Sequence, residues 1–344
     1  MKIVGCDFHP SYQQVAIFDT TTGEVEEQKL VHGDGQAERF YRELETGALI
    51  GMESVGNAQW FQRLVESLGH QLWIGDAAQI RASYVRKQKT DKRDAGHILK
   101  LLVEERFPRI WVADRQQRDI RQLLVHRHKL VRTRTRIKTE LQHLALNQGM
   151  QKKRQLWSVR GRADLEKLAL EGWAHRRRGD LLLLLKMVES QVESLDQAVE
   201  QAAKADAQAR LLMTQPGVGP VTALAFVVTI GDVSRFPRSK QVASYLGLIP
   251  RERSSGGKQR MGAISKQGNV FLRTLLVEAA QSAVRHDPQF RKEYRHRCHH
   301  KPKGVAKVAA ARKLAVRLYW MLKTSTPYPQ VVPIEGSPSH PVVR

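Results

Sequence analysis

Two cysteines in 344 residues, Cys6 and Cys298, are too few for a disulfide framework and fit a reducing compartment. Long apolar runs are absent too. The longest, Ala223 to Val228, is far short of the ~20 residues needed to span a bilayer. Strand-like sequence begins at residue 2, so no basic start and apolar stretch of a secretion signal is read. A cytoplasmic or nucleoid-associated chain without a membrane partner is expected. Acidic residues are the third shortage: 34 Asp and Glu face 57 Lys and Arg, a formal net charge of +23. That balance points to a polyanionic partner, with nucleic acid the default. The shortage is uneven. Residues 1–75 hold 11 acidic and 5 basic residues, and the remainder holds 23 against 52. An acidic front and a basic remainder suit a cation-binding active site joined to a nucleic-acid-gripping body.

The length allows about two or three domains, each with its own core. Residues 2–33 read as a three-strand meander: Ile3–Phe8, Gln14–Asp19, a turn at Thr21-Thr22-Gly23, then Val25–Val31. Helices over Gly35–Glu45, Ala58–Leu68 and Asp91–Glu104 then alternate with strands at Ala48–Glu53, Gln71–Gly75 and Arg109–Val112. This is the element order of the ribonuclease-H-like architecture. From Arg115 the character changes. Arg115–Leu146 and Asp180–Leu212 contain no proline and read as long helices. Leu181, Leu185, Val188, Val192, Leu195, Val199 and Ala202 form a heptad seam that Asp206 ends. The seam serves either a coiled coil between chains or a helical hairpin within one. The first long helix carries Arg118, Arg121, Arg127, Lys129, Arg132, Arg134, Arg136 and Lys138 with almost no acidic residue between them. Such like charges repel unless a phosphate backbone lies among them. A third unit runs from about Leu211 to Lys323, and a proline-rich tail from Thr324 is expected to be disordered.

Four carboxylates are placed for chemistry. Asp7 ends one apolar run, Glu53 ends another, and Asp91 and Asp94 sit three apart on one helix face, their Cβ atoms roughly 5–6 Å apart. Acidic groups at neighbouring strand ends, facing a helical pair, form an oxygen cage suited to Mg²⁺. Metal ions held there can activate a nucleophile and stabilise a leaving oxygen in phosphodiester transfer. The alternative is solvated surface. Farther on, Pro216-Gly217-Val218-Gly219-Pro220 before an apolar helix resembles the hairpin of helix-hairpin-helix proteins. Gly217 and Gly219 there let backbone N–H groups approach a phosphate. Then Ser254-Ser255-Gly256-Gly257, ringed by Arg251, Arg253, Lys258 and Arg260, makes an electropositive loop. Either it grips phosphate, or a serine hydroxyl is a nucleophile whose charge barrier the cations lower. Lys266 and Arg273 extend that basic surface. The His296-Arg297-Cys298-His299-His300 run lacks a second ligand pair at zinc-finger spacing, and Tyr294, Tyr319 and Trp320 read as core anchors.

Together, Asp7, Glu53, Asp91-x-x-Asp94, the Pro-Gly-Val-Gly hairpin and the Tyr245-Leu246-Gly247-Leu248, Pro250-Arg251 and Ser255-Gly256 block resemble the DEDD transposases of bacterial insertion sequences. That family includes the pilin-gene inverting recombinase Piv and the bridge-RNA-guided recombinases. The resemblance spans about residues 1–325. It implies an α/β plus α chain: a RuvC-like (ribonuclease-H-like) catalytic domain at 1–114, a basic helical coiled-coil domain at 115–210, a mainly helical C-terminal transposase domain at 211–323 carrying the helix-hairpin-helix-like motif, and the tail at 324–344. It further implies that the four carboxylates bind Mg²⁺ and that Ser255, with Ser254 beside it, attacks DNA to give a covalent 5′-phosphoserine. Donor and target DNA, a noncoding bridge RNA, and homodimers assembling into tetramers are the implied partners. Two rivals stand beside this reading. One is a RuvC-like, metal-dependent nuclease or Holliday junction resolvase using water. The other is a basic nucleic-acid-binding protein without activity.

Overall fold

The computed structural model describes residues 1–84, 90–152 and 154–330. The chain divides into two compact units, Met1–Val112 and the remainder from Ala113.

The first unit is built on strands β1 (Lys2–Phe8), β2 (Tyr12–Asp19), β3 (Val25–Val31), β4 (Leu49–Glu53) and β5 (Gln71–Gly75). Their order across the sheet is β3-β2-β1-β4-β5. The pairs β1–β2 and β2–β3 are antiparallel, while β1–β4 and β4–β5 are parallel. Alternation along the strands divides the residues between two layers. Val4, Cys6 and Phe8 of β1, with Ile50 and Met52 of β4, pack under α1 (Gln36–Glu43) and α2 (Gln59–Ser67) through Ala37, Tyr41, Phe61 and Val65. Ile3 and Ala16 instead meet Ala95, Ile98, Leu99 and Leu102 on the other face, together with Ile80 of α3 (Ala77–Ala82). Those four residues belong to α4 (Asp91–Val103), whose N-cap Thr90 accepts the Arg93 amide. The strand expected at Arg109–Val112 is reduced. A single antiparallel bridge joins Gly75 and Arg109, and Ile110 donates to the Ile74 carbonyl at 2.8 Å. Pro108 has no N–H to extend the ladder.

The second unit is helical. Helix α5 (Arg115–Asn147) begins in a capping box built by Asp114 and Gln117. After α6 (Val159–Glu166), α7 runs Gly172–Ala205, starting eight residues before the expected Asp180. Leu185, Val188 and Val192 of the heptad seam are buried against Ile137, Leu141 and Ala145 of α5. The seam therefore closes a hairpin within this chain. Asp206 ends α7 and caps α8 (Ala207–Met213) by accepting the Ala209 amide at 2.8 Å, so the helix expected to reach Leu212 is two helices. Helix α9 (Pro220–Ile230) is buried at every position from Thr222 onward, which explains the longest apolar run. Around it lie α8, α10 (Ser239–Tyr245), α11 (Val270–His286), α12 (Pro288–His300) and α13 (Lys303–Thr324). The hairpin β6 (Pro250–Glu252) and β7 (Met261–Ile264) projects between α10 and α11. The start of the expected disordered tail is attached: Tyr328 donates its backbone N–H to Thr214 Oγ1 at 3.0 Å, and its ring lies against Arg317. Residues 331–344 of that tail lie outside the described residues.

Candidate metal centre and nucleic-acid surface

Two glycines set the first site. Gly5 and Gly51 are register partners on β1 and β4, on the face that receives α4. A Cβ at Gly5 would lie 2.4 Å from the Ala95 carbonyl oxygen and the Leu99 nitrogen, and one at Gly51 would lie 2.6 Å from the Leu102 side chain. At position 5 only glycine lets the helix backbone come so close to the sheet, and at position 51 glycine leaves room for the Leu102 side chain. Asp7 follows two residues after Gly5 and Glu53 two after Gly51, so both carboxylates rise on the α4 side at neighbouring strand ends. Asp91 and Asp94, in the first turn of α4, face that edge.

The convergence is measurable. His9 Nε2 lies 3.1 Å from Asp7 Oδ2 and 3.8 Å from Asp91 Oδ1. Single ligand atoms of Asp7, His9 and Asp91 all fall within 4.8 Å of one another. Asp94 is 5% exposed. Burial pushes the Asp7 carboxyl above the usual carboxylate range; His9 opposes that shift, while Asp94 and Asp91 add to it. A buried carboxyl beside other acidic groups belongs to a donor set that a cation would relieve.

Two tyrosines hold the helical pair. Tyr12 donates to Asp91 Oδ2 at 2.7 Å and stacks on His9 with ring centroids 4.7 Å apart. Tyr84 donates to Asp94 Oδ1 at 2.6 Å and packs on His97 at 4.1 Å. Burial, and then the bond to Asp94, raise the Tyr84 phenol, so it stays a donor. Sequence reasoning missed His9, Tyr12 and Tyr84. Only His9 left a signal: it lies two residues beyond Asp7, where alternation puts it on the same side.

The serine loop caps the β6–β7 hairpin. Ser255 and Lys258 form a bridge around Gly256 (φ 58°) and Gly257 (φ 74°), and Lys258 N–H donates to the Ser255 carbonyl at 3.1 Å. Positive φ at both central positions is what a type I′ turn demands. Ser254 donates its hydroxyl to Glu252 Oε1 at 2.6 Å, whereas Ser255 makes no side-chain hydrogen bond among the described residues. Arg251, Arg253, Lys258 and Arg260 are all exposed around it, as is Lys266.

Other expected contacts lie elsewhere. Arg273 is 8% exposed and donates to the Leu246 carbonyl at 3.1 Å and to that of Gln267, so it braces the base of the loop and does not extend its basic surface. Arg127 is tied to Asp196 of α7, and Lys138 to Glu189 at 2.8 Å. Arg134 is half-buried, while Arg115, Lys129, Arg132 and Arg136 are the exposed cations of α5. Gly217 (φ 87°) packs on α11, where a Cβ would lie 2.4 Å from the Ala283 nitrogen; Gly219 is the exposed glycine of that hairpin. Tyr319 is buried and donates to the Phe236 carbonyl at 2.8 Å.

A family model described as Transposase matches residues 4–149, and one described as Transposase IS116/IS110/IS902 family matches residues 209–295. A probable family 20 transposase of Pseudomonas aeruginosa is 31% identical over 308 residues, covering 85% of this chain and 89% of that protein. The transposase for insertion sequence element IS1111A of Coxiella burnetii is 29% identical, covering 71% and 67%. That for element IS1328 of Yersinia enterocolitica is 28% identical, covering 68% and 70%. With both units matched in order and a relative of this identity along most of its length, the chain belongs to the IS116/IS110/IS902 family of transposases.

Proposed function

We propose that this chain is an insertion-sequence transposase that cuts and rejoins DNA through a serine, with Mg²⁺ held by Asp7, Glu53, Asp91 and Asp94. The observation that carries the reading is the convergence of Asp7, His9 and Asp91 beside buried Asp94. The sheet order, with its antiparallel meander and parallel β4 and β5, supports a ribonuclease-H-like domain. Mg²⁺ bound there supplies Lewis-acid stabilisation to phosphodiester oxygens. The protein's own part is then to orient these carboxylates through Tyr12 and Tyr84 and to present a hydroxyl.

Ser255 is that hydroxyl: it is exposed, its side chain makes no hydrogen bond among the described residues, and it stands among four cations able to offset charge gathering on phosphorus. Its Oγ forms a bond to phosphorus, the bond from phosphorus to the 3′ oxygen breaks, and the serine proton is balanced by the one taken up by the departing 3′ hydroxyl. A 5′-phosphoserine results, and attack by another 3′ hydroxyl reverses the step on a new strand. Arg251, Arg253, Lys258, Arg260, Lys266, the exposed cations of α5 and the Gly219 turn contact the backbone. A bridge RNA selects donor and target in this reading, and sequencing of co-purifying RNA checks it. Homodimers assembling into tetramers complete it; exposed Trp173, Leu183, Leu184 and Met187 on the outer face of α7 support self-association.

Ser255→Ala tests the chemistry. Recombination and the protease-sensitive protein–DNA adduct are expected to vanish while nucleic-acid binding persists. The Ser254–Glu252 hydrogen bond gives one specific alternative, because a carboxylate beside a hydroxyl can serve as its base. An adduct that survives Ser255→Ala and disappears in Ser254→Ala would assign the nucleophile there. Cut DNA bearing a free 5′-phosphate and no protein would replace serine by water.

A further inference from the structure

The corner formed by α12 and the start of α13 has no role in the site described above, and its charge is unusual. Residues 285–307 carry Arg285, Arg291, Lys292, Arg295, Arg297, Lys301, Lys303 and Lys307 against two acidic groups, Asp287 and Glu293. Both acids are already engaged by α13. Asp287 pairs with Arg317 at 2.9 Å, and Glu293 pairs with Lys313. Arg291 is used locally, donating to the Val284 carbonyl at 2.9 Å and to that of Arg285 at the end of α11. Arg285, Lys292, Arg295, Lys301, Lys303 and Lys307 remain exposed, and none has a carboxylate partner among the described residues.

A merely solvated face would intersperse both signs of charge. Here like charges repel along a helix that fully buries only Phe290. A helix with so small an apolar stripe draws little stability from packing. Lys303 opens α13, at the helix end where a cation is disfavoured. Each of these costs is relieved by a polyanion. Among the described residues the exposed rings of the corner are imidazoles, those of His286, His296, His299 and His300; Phe290 is buried and Tyr294 half-buried, so no broad Phe, Tyr or Trp face is offered to unstacked bases. Backbone contact with a duplex fits better than capture of a single strand. Helix α12 is about 20 Å long, enough to follow several phosphates.

We infer that the α12–α13 corner is a second nucleic-acid surface, separate from the serine loop, which grips the phosphodiester backbone of a duplex. The inference rests on the proposed function only in taking nucleic acid as the ligand. Its test is fluorescence anisotropy of the full chain with a 20-base-pair DNA duplex, an RNA duplex and a single strand across a salt series. The variant joins Lys292→Gln, Arg295→Gln, Lys301→Gln and Lys303→Gln. Duplex affinity is expected to fall about tenfold or more, and the slope of log affinity against log salt to shrink by about 3 to 4. Whichever duplex loses more identifies the strand type. A control joining Lys2→Gln, Arg39→Gln, Arg42→Gln and Arg63→Gln removes equal charge from the first unit and should keep the slope. Should the corner variant melt early, Lys292→Arg with Lys301→Arg and Lys303→Arg keeps the charge and must bind as the parent does. An unchanged slope, an equal loss in the control, or a loss confined to the single strand overturns the inference. A parent chain that binds no nucleic acid removes the proposed function with it, so the two failures are distinguishable.

Discussion

Asp7 is a carboxyl group whose ionisation costs more here than in water: burial raises its pKa, Asp94 and Asp91 add to the shift, and His9 offsets part of it. A raised folded pKa means that stability is fully present below the unfolded value and is lost as pH rises through the folded one. Asp7→Asn is therefore expected to raise the melting temperature of the metal-free protein at neutral pH by about 1–3 °C, with the gain vanishing in acid, while strand cleavage stops. A lower melting temperature at pH 7 would contradict this account of the site. Tyr84→Phe deletes one hydroxyl and leaves all four acids. Loss of the hydrogen bond that aims Asp94 should weaken Mg²⁺ or Mn²⁺ binding in calorimetry about tenfold, and an unchanged affinity would make the bond structural only. The four acids were legible because strand ends and an i,i+3 pair are local patterns. Their tyrosines were not, because Tyr12 meets Asp91 across 79 residues and neither partner announces the other.

At the scale of elements, close packing places the chemistry. Gly5→Ala would drive a methyl group into the backbone of α4, and about 1–3 kcal/mol of destabilisation is expected from such overpacking. Metal affinity should fall further than stability, since the helix that carries Asp91 and Asp94 must retreat from β1. Denaturant titration and metal calorimetry on the one variant check both; equal affinity would mean the sheet yields instead. The strand meander and most helices could be read from periodicity. The Arg109 strand could not, because Pro108 beside it permits only a bridge. The heptad seam marked a packed helix face correctly but could not name its partner, since α5 and a second chain offer the same apolar stripe. Arg273 shows the complementary limit: a basic residue in a basic neighbourhood is buried because carbonyls of Leu246 and Gln267 wait for it.

Across the whole molecule, the outer face of α7 tests assembly. Trp173 is 88% exposed and Met187 54%, apolar side chains that this chain leaves in water and that an assembly would bury. Leu184→Glu combined with Met187→Glu should lower the mass seen in sedimentation to that of the monomer while leaving the α5–α7 hairpin folded. A mass unaltered by both changes would remove this face from the proposed assembly. The charge division between an acidic front and a basic remainder was legible in the sequence and suits a transposase. Which cations remain free for a substrate was not, because Arg127 and Lys138 are spent on carboxylates of α7. The register pairing of Gly5 with Gly51 has a consequence for tracing decayed copies of such elements. A copy with alanine at position 5 would still display every acidic residue and both serines, and would pass as intact on inspection. Its lesion would be a single methyl group, invisible to any search for the chemistry and expected to weaken the metal site from outside it.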